Sequence, residues 1–149
     1  MNSKIKTLEE LLFLFNKEDR VVFTDGVCNG LHVGHLKYFY NAKQQGTHLV
    51  VGIYADDFVL ERKGEMKLFP HGERMEALDY LNFVDHVVLM DSQEHKKQIM
   101  ESLPLSVIVV SSTTTDDKNS PDAIRNVYKG DAKIVELGPQ AKIHTKDIQ

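Results

Sequence analysis

Cysteine is nearly absent: Cys28 is the only one in 149 residues. No disulfide can form within the chain, and a reducing compartment suits it. Apolar runs are short, and none approaches the roughly 20 residues that a membrane-spanning helix needs. Positive charge is scarce. Eighteen lysines and arginines stand against 22 aspartates and glutamates, a formal net charge of −4, which gives no reason to expect the basic face of a nucleic-acid binder. The first twenty residues carry Glu9, Glu10, Glu18 and Asp19 around their leucines and phenylalanines, unlike a secretory signal. The expectation is a cytoplasmic protein with neither nucleic acid nor membrane as partner. A length of 149 residues, with 42% apolar and 27% charged content, suits one globular domain over 1–149.

What is present is a strict alternation of apolar runs and helix-period segments. Residues 7–16 read as a helix opened by a Thr7/Glu10 capping box, with Leu8, Leu11, Leu12 and Phe15 on one stripe. Strands are predicted at 21–24, 49–54, 84–90, 106–110 and 133–137. Helices are predicted at 33–45, closed by Gly46; at 73–82; after Asp91 and Glu94, ending before Pro104; and from the Ser120-Pro121 N-cap to Gly130. The charged stretch 61–72 and the polar run 111–119 read as loops, and a short polar tail covers 139–149. Strands apolar throughout belong to sheets covered on both faces. The expected fold is therefore α/β: a Rossmann-like, doubly wound, five-stranded parallel sheet. Ligands in such sheets lie at the carboxyl ends of strands.

The stretch Val21-Val22-Phe23-Thr24-Asp25-Gly26-Val27-Cys28-Asn29-Gly30-Leu31-His32-Val33-Gly34-His35 runs from a strand through a glycine-bearing turn into a helix. Unpaired N–H groups and the helix dipole make such a turn a place to hold phosphate. His32 and His35, three apart, add donors on one face. A zinc cluster of Cys28, His32 and His35 with Asp25 nearby is the alternative reading of the same residues.

The motif Leu31-His32-Val33-Gly34-His35, followed by Ala42, Gly46, Val50-Val51-Gly52-Ile53-Tyr54-Ala55-Asp56, Lys63-Gly64, Pro70, Glu73-Arg74-Met75 and Val84-Asp85, resembles the cytidylyltransferase-like family of nucleotidyltransferases over nearly the whole chain. The layout is most similar to bacterial heptose 1-phosphate adenylyltransferase domains and next to glycerol-3-phosphate cytidylyltransferases. The resemblance implies transfer of a nucleotidyl group from ATP or CTP to a phosphorylated sugar or polyol, with release of pyrophosphate. It implies His32, His35 and Lys63 as catalytic residues and Val27, Cys28, Gly34, Arg74, Ser111 and Thr145 as nucleotide-binding ones. It also implies Mg2+ carried with the triphosphate rather than a protein metal site, and it allows a homodimer. The chemistry suits these residue types. A phosphate nucleophile needs no general base, so catalysis reduces to positioning and to donors aimed at developing charge.

The sequence departs from the family pattern at four ligand-facing places: Cys28-Asn29 where Phe-Asp is usual, Gly46-Thr47 where Gly-Asp is usual, the Ser111–Asp117 loop, and His144-Thr145-Lys146. The departures leave two readings open, an altered substrate preference or a nucleotide-binding module that turns over poorly.

Overall fold

The computed structural model describes residues 3–64 and 66–139. Five strands, β1 (Val21–Gly26), β2 (His48–Tyr54), β3 (His86–Met90), β4 (Leu105–Ser111) and β5 (Lys133–Leu137), form one sheet in the order β3-β2-β1-β4-β5. All four pairings are parallel. The chain builds outward from β1 to β3, then crosses back to lay β4 on the other side of β1. The switch point therefore falls between β1 and β4.

Helices cover both faces. The face carrying Phe23, Val50, Tyr54, Val88, Ile108 and Val110 packs under α1 (Leu8–Leu11), α3 (Asp56–Lys63), α5 (Gln93–Ser102) and α6 (Pro121–Val127). The face carrying Val22, Leu49, Val51, Ile53, Val107 and Val109 packs under α2 (Val33–Lys43) and α4 (His71–Asp79). Alternate side chains of each strand thus reach opposite cores, which is why the strands read as unbroken apolar runs.

Several boundaries differ from the sequence expectation. The Thr7/Glu10 capping box forms, but α1 ends at Leu11, and Leu12, Phe13 and Leu14 stay exposed. Leu8 and Leu11 are the residues of α1 buried against the sheet, and packing rather than propensity sets helix length. α3 forms where no helix was expected and takes in the first three residues of the loop expected at 61–72. It holds just two buried residues, Phe58 and Val59, among charged ones, too few to show a helical period. α4 starts at His71, two residues early, on the carbonyl of Pro70. α5 is capped by the Ser92 hydroxyl, which accepts from the His95 N–H at 3.1 Å. β3 begins at His86 rather than at residue 84. Gly46 is needed for close approach: a Cβ there would stand 2.3 Å from the Arg20 carbonyl oxygen.

His86, at the start of β3, has its Nδ1 buried without a partner among the described residues. Phe15 packs edge-on against it, with ring centroids 5.8 Å apart. Burial pushes its pKa below the ordinary 6.5, helped by Lys6, His48 and Lys4 and opposed by Asp85. A histidine with a depressed folded pKa resists protonation only when folded, so the unfolded chain binds more protons as pH falls below about 6.5. Stability is therefore expected to be full above that pH and to decline as pH drops through the depressed value. Melting temperatures between pH 7.5 and 5.0 test this, and His86→Leu should flatten the decline.

Candidate functional site

β1 and β4 pair from Val21 and Leu105 only as far as Phe23 and Ile108, although β1 continues to Gly26 and β4 to Ser111. Beyond that pair the Thr24 hydroxyl bridges to the Val109 carbonyl at 2.8 Å and meets Tyr38 Oη at 2.9 Å. The strands separate above this bridge and open a cleft of about 490 Å³ at the switch point. Val27, Cys28, Gly34, His32, His35, Lys63 and Ser111 all line it. The structure thus brings together seven of the nine residues singled out from sequence. Thr145 lies outside the described residues.

The cleft floor is the start of α2. His32 is the N-cap, and its Nδ1 accepts from the Gly34 N–H at 2.9 Å. His35 Nδ1 accepts from the His32 N–H at 3.2 Å. The pair forms a capping box built from two imidazoles, their centroids 4.1 Å apart. A ring whose Nδ1 accepts carries its proton on Nε2 when neutral. Both rings thus keep Nε2–H as the remaining donor. Burial lowers the pKa of His35, and neighbouring His32 lowers it further, so His35 is neutral at pH 7. Cys28 and Val27 offer N–H groups that make no hydrogen bond among the described residues.

The turn itself is held by its neighbours. Cys28 adopts a left-handed conformation, φ 55°, which costs a residue with a Cβ about 1–2 kcal/mol. Its thiol is buried and its pKa is raised to about 12, by burial first and by Asp25 second. The protonated thiol, the engaged Nδ1 atoms and Asp25 bound to Lys96 leave no set of zinc ligands here. Among the described residues no group of three His, Cys, Asp or Glu is placed to hold a metal ion.

Asn29 explains one departure. Its amide N donates to the Lys67 carbonyl at 2.9 Å, and its amide O accepts from the Phe69 N–H at 2.8 Å. Only a side chain with both a donor and an acceptor can tie the turn to residues 67–69 in this way. An aspartate would set a carboxylate against the Lys67 carbonyl. Asn29→Asp is expected to cost about 1 kcal/mol in urea denaturation, the worth of one net hydrogen bond.

Arg74 is the sequence-predicted residue that the cleft does not receive. Its side chain is 1% exposed and paired to Asp56 at 2.7 Å. Nε donates to the Phe69 carbonyl and a second nitrogen to the Val27 carbonyl, each at 2.8 Å. With all three nitrogens engaged, Arg74 ties the start of α4 to α3 and, through the Val27 carbonyl, to the turn that lines the cleft.

Sequence reasoning missed a second polar layer. Asp25 and Tyr54, at the ends of β1 and β2, line the cleft. Tyr54 donates to Asp25 Oδ2 at 3.0 Å. Buried Lys96 of α5 pairs with the same oxygen, donates to Tyr54 Oη at 2.9 Å and donates to Asn119 at 2.6 Å. Arg62 stacks on the Tyr54 ring, 4.3 Å from its centroid, and pairs with Asp116. Burial alone would raise the Asp116 carboxyl, yet bonds from Arg62 and from the Lys118 and Asn119 N–H groups hold it at about 2. Lys96 was legible in one respect: it occupies the buried stripe Lys96, Ile99, Met100, Leu103, where a lysine at i, i+3, i+4, i+7 spacing demands a partner.

A parallel sheet with a helix N-terminus, two imidazoles and the cations of α3 around a crevice at its switch point defines a Rossmann-like α/β protein with a cleft of the kind that suits phosphate. The chain belongs to the cytidylyltransferase-like family, whose sequence model matches residues 23–148. It is 32% identical over 139 residues to Bifunctional protein HldE of Geobacter metallireducens, covering 90% of this chain and 28% of the relative. It is 38% identical over 141 residues to the protein of the same name from Aliarcobacter butzleri, covering 91% and 29%. The chain thus spans less than a third of the length of these relatives. Among solved structures, a lipopolysaccharide core biosynthesis protein from Thermoplasma volcanium superposes with TM-score 0.67 at 23% identity, covering 81% of this chain and 98% of the other. A pantoate-beta-alanine ligase from Francisella tularensis, bound to an ATP analogue and beta-alanine, gives 0.63 at 10% identity over 92% and 67%. Both likenesses are of fold.

Proposed function

We propose that the protein transfers a nucleotidyl group from a nucleoside triphosphate to a phosphorylated sugar or polyol, releasing pyrophosphate, with ATP as the favoured donor. The observation that carries this is the double-histidine cap at the start of α2, which leaves two Nε2–H donors on the cleft side of a helix N-terminus. A phosphate oxygen of the acceptor attacks the α-phosphorus, a new P–O bond forms, and the bond from the α-phosphorus to the bridging oxygen of the β-phosphate breaks. The electron pair leaves with pyrophosphate, so no proton has to be removed. His32 and His35 stabilise charge growing on the phosphates, Val27 and Cys28 N–H groups cradle the triphosphate, and Lys63 approaches from the end of α3. The family membership and the HldE relatives support an ADP-sugar product.

Magnesium fits this cleft as an ion carried in by the nucleotide. The carboxylate in reach, Asp25, is already bound to Lys96, so triphosphate oxygens and water would supply most ligands. Bound there, the ion would screen the triphosphate charge.

The test is pyrophosphate release from ATP and CTP with a heptose 1-phosphate, glucose 1-phosphate and glycerol 3-phosphate. The expected result is turnover with one donor–acceptor pair, lost in His35→Ala. No pair exceeding that variant would overturn the reading. A thermal shift with ATP but no turnover would select the nucleotide-binding module instead. A nucleotide at a hundred times its Kd raises stability by about 2.7 kcal/mol.

A further inference from the structure

The two halves of the cleft face different cores. His32, His35 and Tyr38 rise from α2, and Ser111 follows the β4 residues Val107 and Val109 that point to the α2 side. Asp25 follows Val21 and Phe23, and Tyr54 follows Val50, on the side packed by α3 and α5. A reaction with two substrates needs two adjoining sites. The helix N-terminus and imidazoles suit the triphosphate, which leaves the α3/α5 half for the acceptor.

That half has an unusual hydrogen-bonding state. Lys96 has three N–H donors, and Asp25, Tyr54 and Asn119 take all of them. The Tyr54 hydroxyl both donates and accepts. Both bonds to Asp25 fall on Oδ2, and Oδ1 has no partner among the described residues. The Asp25 side chain is 28% exposed and lines the cleft. The network therefore shows the cleft one unused, carboxylate-type acceptor and no spare donor. A phosphate placed there would be repelled, while a hydroxyl would be bound. A buried ion pair is weak evidence of a stabilising role, since an apolar substitute often serves as well. Arg62 and Lys63, at the end of α3, line the same half and supply charge for the acceptor's phosphate.

The geometry points to Asp25, oriented by Lys96 and Tyr54, as the residue that selects the acceptor by accepting a hydrogen bond from one of its sugar hydroxyls. This rests on the nucleotidyl-transfer reading of the cleft. The acceptor class is then a polyhydroxylated sugar phosphate, with its phosphate toward α3 and a hydroxyl over the end of β1.

The 149-residue chain and its Asp25→Asn variant, which keeps shape and an oxygen for Lys96, are compared by separate KM values for NTP and acceptor. Glucose 1-phosphate, mannose 1-phosphate, a heptose 1-phosphate and their monodeoxy analogues are the acceptors. The expected result is an acceptor KM raised about 10- to 100-fold, as for a hydrogen bond to a charged group, with the NTP KM within twofold. One monodeoxy analogue should lose the same factor on the wild type and nothing on the variant. A rise in the NTP KM instead would assign Asp25 to the ribose and overturn the proposal, as would an equal loss for every deoxy analogue. If Asp25→Asn does not fold, Tyr54→Phe takes its place: an unchanged acceptor KM overturns the proposal. If the wild type shows no turnover, calorimetry with the same sugar phosphates decides. Binding weakened at least tenfold in the variant upholds Asp25 while the transfer reading falls; no binding, or equal binding, overturns it.

Discussion

Replacing His35 by alanine is expected to lower kcat by two to three orders of magnitude, the usual loss when one donor to developing transition-state charge is removed. The residue has two separable tasks. Its Nδ1 accepts the His32 N–H at 3.2 Å and completes the cap of α2. Its Nε2–H is the donor left for phosphate. Asparagine places an amide oxygen near the position of Nδ1 and has nothing at Nε2. His35→Asn should therefore restore most of the melting temperature lost in His35→Ala while leaving kcat equally low. The KM for the nucleotide should move far less than kcat in both variants, because the donor matters most where charge is greatest. The pH profile carries a sign. Burial and His32 hold the His35 pKa below 6.5, so raising pH from 7 to 9 changes nothing at this residue. Lowering pH below 6.5 eventually protonates Nδ1, which then faces the His32 N–H as a second donor, and activity falls on the acid side. A loss of activity on the alkaline side assigned to His35 would contradict this arrangement.

Arg74→Met is expected to be the most destabilising single substitution at the site, costing roughly 3 kcal/mol in urea denaturation. Three bonds vanish together, to Asp56, Phe69 and Val27. Buried carbonyls left without a donor cost about 1–3 kcal/mol each, and removing one partner of a buried ion pair costs several. Asp56 is 38% exposed and can rehydrate, which keeps the total at the lower end. For a chain of this length the shift in melting temperature should be about 10 °C. Arg74→Lys should recover only part, because an ammonium lacks the planar fork that spans α3, the 69–70 turn and the phosphate loop. Activity measured well below the melting temperature distinguishes the tasks. If Arg74 acts through Val27, nucleotide affinity falls only modestly in the fraction that stays folded.

The sequence itself contained the architecture. Five apolar runs between helical segments required a parallel sheet covered on both faces, and the strand–turn–helix at 21–35 located the cleft. The placement of His32, Gly34 and His35 was readable because it is local: a helix start fixes its own first turn. Lys63 was singled out only through the family resemblance, within a stretch read as loop, whereas Ser111 stood just past the fourth predicted strand. α3 was not readable, since Phe58 and Val59 show no period, and its helix exists because the sheet offers a surface for those two residues.

Long-range pairing was equally hidden. Arg74 stands at a helix start and reads as a phosphate ligand, yet three partners 5, 18 and 47 residues away take its nitrogens. Asn29 looks like a lost charge, yet its amide is what the 67–69 segment requires. Lys96, Asp25 and Tyr54 come from three separate elements, and nothing in their spacing joins them. The linear order of residues thus determined which segments fold and where the strand–turn–helix of the cleft lies, because those depend on neighbours along the chain. Which side chains remain free to meet a ligand was decided only by tertiary packing, because a donor is available only after every buried acceptor within its reach has been satisfied.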